Sequence, residues 1–358
     1  MTSGEKFDRK EIHCVKKEKW KKILNAVFVV SIFLITTCTV FCGEDFWEVL
    51  HFLTTAKFKY VVPSLIFVIL FIFGESVVIC YLFRTLGIKT GFFRCCLYSF
   101  IGFFYSCVTP SASGGQPMQV IAMRKDKIPV ASSTVVLAIV TITYKLVLVI
   151  SGLMVLIIRP EGVMKYLEPV ETIMYIGLAL NVVCICILLN LVFYPKSVRK
   201  CAEWALSIWN RIRKPKHPEK RKERLEALLG QYNGTAEYFK THKHVFVHVL
   251  LITFVQRYVL FFITWFTYCA FELSGESMPV IVTLQAMISV ASDMLPLPGG
   301  MGVSENLFMV IFEPIFGKEL VIPGMVISRG ISYYSQMLIS GIVTLAATLF
   351  ISKEKGEE

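Results

Sequence analysis

The chain has 358 residues, 55% of them hydrophobic and only 18% charged. Soluble globular domains carry about 25% charged residues, so this composition excludes a soluble domain of this size, and its apolar content excludes a disordered chain. The net charge of +11 points to nucleic acid or to anionic lipid, and the positions of the bases decide between them.

A helix crossing ~30 Å of hydrocarbon needs about 20 residues, which sets the scale for reading the chain in order. Residues 1–22 are polar and basic, a cytoplasmic N-terminal segment with Lys16, Lys17, Lys19, Lys21 and Lys22 close together. The apolar run behind them ends at Cys42-Gly43-Glu44 without a small-x-small cleavage site, so 23–42 reads as a retained first span rather than a signal peptide. Trp47, His51 and Phe52, set among charges, make 44–58 an interfacial segment. The second span is expected at about 60–83, the third at 131–158, the fourth at 171–194, the fifth at 245–271 and the sixth at 321–351. Residues 195–243 form a polar, basic segment of helical pattern, and 352–358 a short tail. The single transmembrane domain would then cover 23–351.

Two segments break this pattern. GFFRCCLYSFIGFFYSCV (91–108) is followed by Thr109-Pro110 and SASGGQP, and an apolar run at 280–295 is followed by PLPGG (296–300) and MGVSENLFMVIF. Pro and paired Gly free several backbone groups, which is tolerated at membrane depth only where the backbone is buried in protein or lines a wet cavity. Each break therefore reads as the tip of a re-entrant helix pair.

The breaks also stand in matching places. Gly114-Gly115 and Gly299-Gly300 are 185 residues apart. Span 2, the first pair and span 3 (repeat 1, about 60–158) correspond in order to span 5, the second pair and span 6 (repeat 2, about 245–351). The expected fold is all-α: a polytopic membrane protein with about six spanning helices plus two re-entrant helix pairs in an inverted repeat, the layout in which transporter sites lie between the repeats.

Placing the N-terminus inside puts 29 of the 37 Lys and Arg on inner segments and five on outer ones, as the positive-inside rule requires. Both termini are then cytoplasmic. The basic total becomes an orientation signal, and no recognition module for nucleic acid accompanies it.

Six charges fall inside apolar segments: Glu75, Lys145, Arg257, Asp293, Glu305 and Arg329. Each costs at least about 2.5 kcal/mol at the bilayer centre, so the set implies mutual pairing, contact with a charged ligand, or both. The planar fork of Arg suits a phosphate, which makes Arg257 and Arg329 the favoured phosphate contacts. Glu75 and Glu305 would balance them or meet a cationic head group, and Lys145 and Asp293 complete the set.

The half-helix after SASGGQP exposes free N–H groups. Ser113 is a candidate cap, and Thr109, Gly114, Gly115 and Gln116 are candidate ligand contacts. Gly299, Gly300 and Ser304 play the same parts at the second break. A plain hairpin tip explains the glycines equally well, though not the hydroxyl and amide side chains around them.

His244 and His248 have i,i+4 spacing, but interfacial histidines beside a basic segment are commoner than a metal site. Most cysteines sit in apolar runs and no C-x-x-C pair occurs, so neither a disulfide framework nor zinc is expected. No nucleotide-binding loop or hydrolase elbow is present, and no cofactor is expected.

TPSASGGQPMQVIAMRK (109–125), PLPGGMGVSENLF (296–308) and SRGISYY (328–334) together resemble the lysylphosphatidylglycerol synthase transmembrane-region family, the flippase-type membrane module of multiple peptide resistance factors. The resemblance covers about 20–351. It implies a bacterial cytoplasmic-membrane module that binds phospholipids with anionic or aminoacylated head groups, such as aminoacyl-phosphatidylglycerol, and moves them between leaflets. By the same resemblance Gly114, Gly115, Gly299, Gly300, Glu305 and Arg329 belong to the motifs.

Fuller relatives add a soluble domain that transfers lysine from lysyl-tRNA to phosphatidylglycerol. The chain ends at Glu358 without residues that suggest that chemistry, so transport is expected before synthesis. A lysyltransferase, and a lipid-presenting partner of a separate synthase, remain the alternatives. Homo-oligomerisation is left open.

Overall fold

The computed structural model describes residues 58–109, 112–212, 218–295 and 302–354. Among them there is no strand. The first predicted span (23–42), the segments 1–22 and 44–57, and the end of the tail lie outside the described residues, as do Gly299 and Gly300.

Among the described residues, four helices are long and apolar enough to cross a membrane: Lys59–Thr85, Val130–Ile158, Glu161–Phe193 and Lys243–Ala270. They fall on the second to fifth predicted spans. We name the helices α1 (Phe58–Thr85), α2 (Phe92–Val108), α3 (Gly115–Lys125) and α4 (Val130–Ile158). The short α5 (Glu161–Leu167) runs through one 3₁₀ turn into α6 (Glu171–Phe193). There follow α7 (Pro195–Ile212), α8 (Pro218–Thr241), α9 (Lys243–Ala270), α10 (Met278–Ser292) and α11 (Val303–Phe316). The two short apolar helices α2 and α10 stand where the sequence is interrupted.

The sixth predicted span differs from a plain helix. It is built as α12 (Val321–Arg329), a π turn (Gly330–Ser335) and α13 (Gln336–Glu354) in succession. The hydroxyls of Ser332 and Ser335 bond back to the carbonyls of Ser328 and Ile331. Such back-bonding competes with the helical ladder. Wide turns of this kind concentrate at functional sites.

In lipid, helices gain nothing by hiding apolar surface from one another, so close packing and interhelical hydrogen bonds hold the bundle. The packing has a regular plan. The longest contact joins α1 to α9; α2 lies against α1 and α13, and α10 lies against α9, α4 and α6. At the α6–α10 crossing a side chain on Gly177 would stand 2.6 Å from the Ala291 backbone. Only a glycine permits that approach, and Asn181 Nδ2 donates across it to the Val290 carbonyl at 3.2 Å. Ser76 and Ser99 join α1 to α2 at 3.0 Å, and Thr264 and Ser328 join α9 to α12 at 2.9 Å.

The basic segment 195–243 is more than a solvated connection. Its second helix, α8, buries Ala236 and Phe239 beside Val135 and Val136 of α4, and Thr235 meets Ser132 at 3.2 Å. The first, α7, leaves Trp204 and Ile208 exposed. At the opposite end of α9, Lys165 and Tyr166 of α5 hold Glu276 in the loop that follows.

A charged cavity at the centre of the helices

The α1–α9 contact places two of the interior charges. A Cβ at Gly74 would sit 2.6 Å from Gln256 Cγ, so the helices touch where Gly74 faces Gln256. Gln256 Nε2 reaches the Phe71 carbonyl at 2.9 Å. The next residue on each helix is charged: Glu75 on α1 and Arg257 on α9. Both line a cavity of about 480 Å³, within the usual range for small-molecule sites. Its walls come from α1, α2, α3, α4, α6, α9, the end of α10, Arg329 of α12, Tyr333 of the π turn and Gln336 of α13.

The six interior charges separate into three situations. Lys145 of α4 pairs with Asp293 just after α10, and Tyr144 donates to the other oxygen of the same carboxylate. Lys145 Nζ also lies 2.9 Å from Met294 Sδ. Arg329 pairs with Glu305 through Nε at 2.9 Å, and Ser304 Oγ donates to the second Glu305 oxygen at 3.0 Å.

Glu75 and Arg257 form the third situation. Glu75 is buried and accepts a hydrogen bond from Gln119 Nε2 at 2.8 Å. The Arg257 guanidinium carbon lies over the Tyr144 ring, 3.6 Å from its centroid, and 4.9 Å from the centroid of the Phe71 ring. Its buried Nε has no hydrogen-bond partner. Among the described residues no carboxylate lies within 4 Å of it.

The first break is closed locally rather than by the expected cap. Gly114, not Ser113, is the N-cap of α3 and makes no side-chain capping bond. Thr109 Oγ1 accepts the Gly114 N–H at 2.9 Å and donates to the Tyr105 carbonyl at 2.6 Å. The reason is the close approach of α2 and α3: a Cβ on Gly115 would meet the Gly102 carbonyl at 2.6 Å and the Ser106 hydroxyl. The chain must turn tightly there, and the Thr109 hydroxyl, five residues back, reaches the exposed N–H. Ser113 and Gln116 line the cavity, and Gln116 also reaches Thr141. Thr109, Gly114 and Gly115 stand behind them.

At the second break Glu305 occupies the first turn of α11, where a carboxylate is favoured by the helix dipole. That helix start therefore already faces an internal anion. Glu305 and Ser304 lie one residue behind the cavity wall, joined to it through Arg329.

The cavity thus brings together Glu75, Lys145, Arg257, Asp293, Arg329, Ser113 and Gln116 of the predicted residues. Sequence reasoning missed Tyr144, Gln256 and Tyr333. Tyr144 adjoins Lys145 and Tyr333 falls in SRGISYY, but neither carries a charge to mark it within an apolar run. Tyr333 donates to the Cys107 carbonyl at 2.7 Å, tying the π turn to the end of α2.

Spanning helices around a buried, charged cavity define a multi-span helical membrane protein with an internal polar site. The chain belongs to the family described as the lysylphosphatidylglycerol synthase TM region, whose sequence model matches residues 23–340. No curated protein matches the chain.

Proposed function

We propose that this chain binds the head group of an anionic phospholipid, phosphatidylglycerol or its aminoacylated form, in the central cavity and passes it between leaflets of the bacterial cytoplasmic membrane. The observation that carries the reading is Arg257: a guanidinium lining the cavity, set over aromatic rings, with a buried Nε that no protein group satisfies. A half-buried guanidinium with an unsatisfied buried Nε and no carboxylate within ion-pair distance carries a desolvation cost, and a phosphate that accepts from the guanidinium removes part of it. Arg329, which also lines the cavity, supplies a second contact. Ser113 and Gln116 offer hydrogen bonds to head-group oxygens, and Glu75 meets the cationic part of an aminoacylated head group. The Lys145–Asp293 and Glu305–Arg329 pairs, with Ser304, hold the walls. Thr109, Gly114 and Gly115 shape the first break.

The same reading takes the chain as an inverted repeat with re-entrant pairs. In its support, α1, α2, α3 and α4 correspond in order to α9, α10, α11 and α12–α13, and α2 packs on α13 as α10 packs on α4. The distribution of bases supports cytoplasmic termini.

The test is reconstitution in vesicles with head-group-labelled phosphatidylglycerol. The expected result is translocation above protein-free vesicles, reduced about tenfold or more in Arg257→Gln, the loss of one charged hydrogen-bonding partner. Wild-type protein indistinguishable from empty vesicles would end the proposal.

A further inference from the structure

A second cleft lies outside the central cavity, where α1 and α3 end. It has a volume of about 470 Å³ and is lined by residues 88–91, Arg94, Tyr98 and 125–129. Two matching turns build it. At the end of α1 the N–H of Ile88 reaches the Phe83 carbonyl at 2.9 Å and that of Gly87 reaches Arg84 at 3.0 Å, with Gly87 at φ +72°. At the end of α3 Ile128 reaches Met123 at 3.1 Å and Lys127 reaches Arg124 at 3.1 Å, with Lys127 itself at φ 62°. These are Schellman closures. In each, an isoleucine anchors the turn in the core beside α4, and lysines follow or flank it: Lys89 in one, Lys125 and Lys127 in the other.

The charge is one-sided. The only acid lining the cleft is Asp126, which accepts from Tyr98 at 2.5 Å and pairs with Arg94 at 3.5 Å. Among the described residues no carboxylate stands within 4 Å of Lys89, Lys125 or Lys127. The cleft also opens at the start of α2, whose N-cap Gly91 makes no side-chain capping bond. Three exposed lysines around one mouth make the local potential positive, which favours an anion there.

The surroundings say what kind of anion. Phe93, between the cleft residues Gly91 and Arg94, is 88% exposed, and Phe92 and Phe73 continue its aromatic surface. Below them Val62, Ile66, Leu70, Phe73 and Val77 form an exposed apolar stripe down α1, at the spacing of one helix face. A basic mouth directly above an apolar, lipid-facing stripe fits a molecule with an anionic head and hydrocarbon tails. A soluble phosphate ester would use only the first half.

We propose that this cleft is a second phospholipid site, distinct from the central cavity, which holds the phosphate of an anionic phospholipid between Lys89, Lys125 and Lys127 with its acyl chains along α1. The two sites share helices. Arg94 and Tyr98 of α2 face the cleft, and Gly102 and Ser106, spaced four residues apart in the same series, face the cavity. The cleft therefore stands at the head of the helix face that leads to the cavity.

The test uses the full chain in phosphatidylcholine nanodiscs carrying a small fraction of photoactivatable phosphatidylglycerol, with labelled peptides read by mass spectrometry. Labelling at Phe92–Phe93 is expected in the wild type. It should fall about tenfold or more in the triple variant Lys89→Gln, Lys125→Gln, Lys127→Gln, since each lysine near an anionic head group contributes separately. It should weaken in the wild type as salt is raised from about 0.1 M to about 0.5 M, survive Arg257→Gln, and resist competition by inorganic phosphate. Equal labelling of the triple variant and wild type would overturn the inference. So would displacement by inorganic phosphate as effective as by unlabelled phosphatidylglycerol, which would mark a soluble-anion site. Because Arg257→Gln is read separately, failure of translocation through the cavity and failure of this cleft give different results.

Discussion

Asp293 and Arg257 face the same cavity and meet the same tyrosine, yet their situations are opposite. Asp293 is held by Lys145 and by the Tyr144 hydroxyl, so its charge is answered within the fold. Arg257 lies on the face of the Tyr144 ring, with no acid within ion-pair distance among the described residues. Residue type and depth do not separate a charge that holds helices together from one left for a ligand. What separates them is whether the backbone brings a counter-charge within reach. Here α10 ends beside Lys145 and supplies one, whereas the Gly74–Gln256 contact sets Arg257 against rings.

Breaking the paired side has the largest expected effect on stability. Asp293→Asn leaves Lys145 charged and buried, which costs about 3 kcal/mol or more, visible as a lowered melting temperature in detergent. Adding Lys145→Met should recover most of that loss, because replacing both partners removes the desolvation cost as well as the attraction. A double variant no more stable than Asp293→Asn would show that the pair does not set the contact.

Glu305→Gln should cost less, about 2 kcal/mol, the range for a hydrogen bond to a charged group. Arg329 loses one charged partner there but keeps its stacking 4.9 Å from the Tyr333 ring. The comparison sharpens if the melting temperature falls by less than in Asp293→Asn.

Arg257→Gln should cost about 1 kcal/mol, the contribution of cation–π contacts to a half-buried side chain, while lowering lipid transport about tenfold or more. That inversion, small for stability and large for function, is what an unpaired charge predicts. A melting temperature as low as that of Asp293→Asn would mean that Arg257 is structural.

The smallest effect lies outside the cavity. The Glu276 carboxyl sits below the usual carboxylate range, first because Tyr166 donates to it; burial opposes this, and a hydrogen bond from Lys165 and its charge add to the lowering. Its folded-state value is depressed, so its contribution is present above the unfolded-state value and is lost as pH falls through the folded one. Thermal stability followed below the usual carboxylate range should decline in the wild type, and Glu276→Gln should flatten that part of the profile. An unchanged profile would remove Glu276 from the account.

The sequence makes charged residues within apolar runs visible because each is expensive there. It also shows four of the expected spans and both interrupted segments, since length and hydropathy fix them. Pairing is less visible. Lys145 and Asp293 are 148 residues apart, and nothing local links them. The aromatic seat of Arg257 depends on a tyrosine from another helix. The cap of α3 was misplaced because the nearest serine, Ser113, suggested itself, whereas the tight turn required Thr109. The π turn is not marked by its serines either, because the same back-bonds occur in regular helices at Ser76 and Thr143. Gly74 and Gly102 look like ordinary helix glycines until Gln256 and Gln119 are found against them.

The most direct test of the central claim is the lipid retained by purified protein, compared by mass spectrometry between wild type and Arg257→Gln after matching the two for folded fraction. The account predicts anionic phospholipid retained by the wild type and depleted in the variant, with zwitterionic lipid unchanged. Equal anionic phospholipid in both would contradict it.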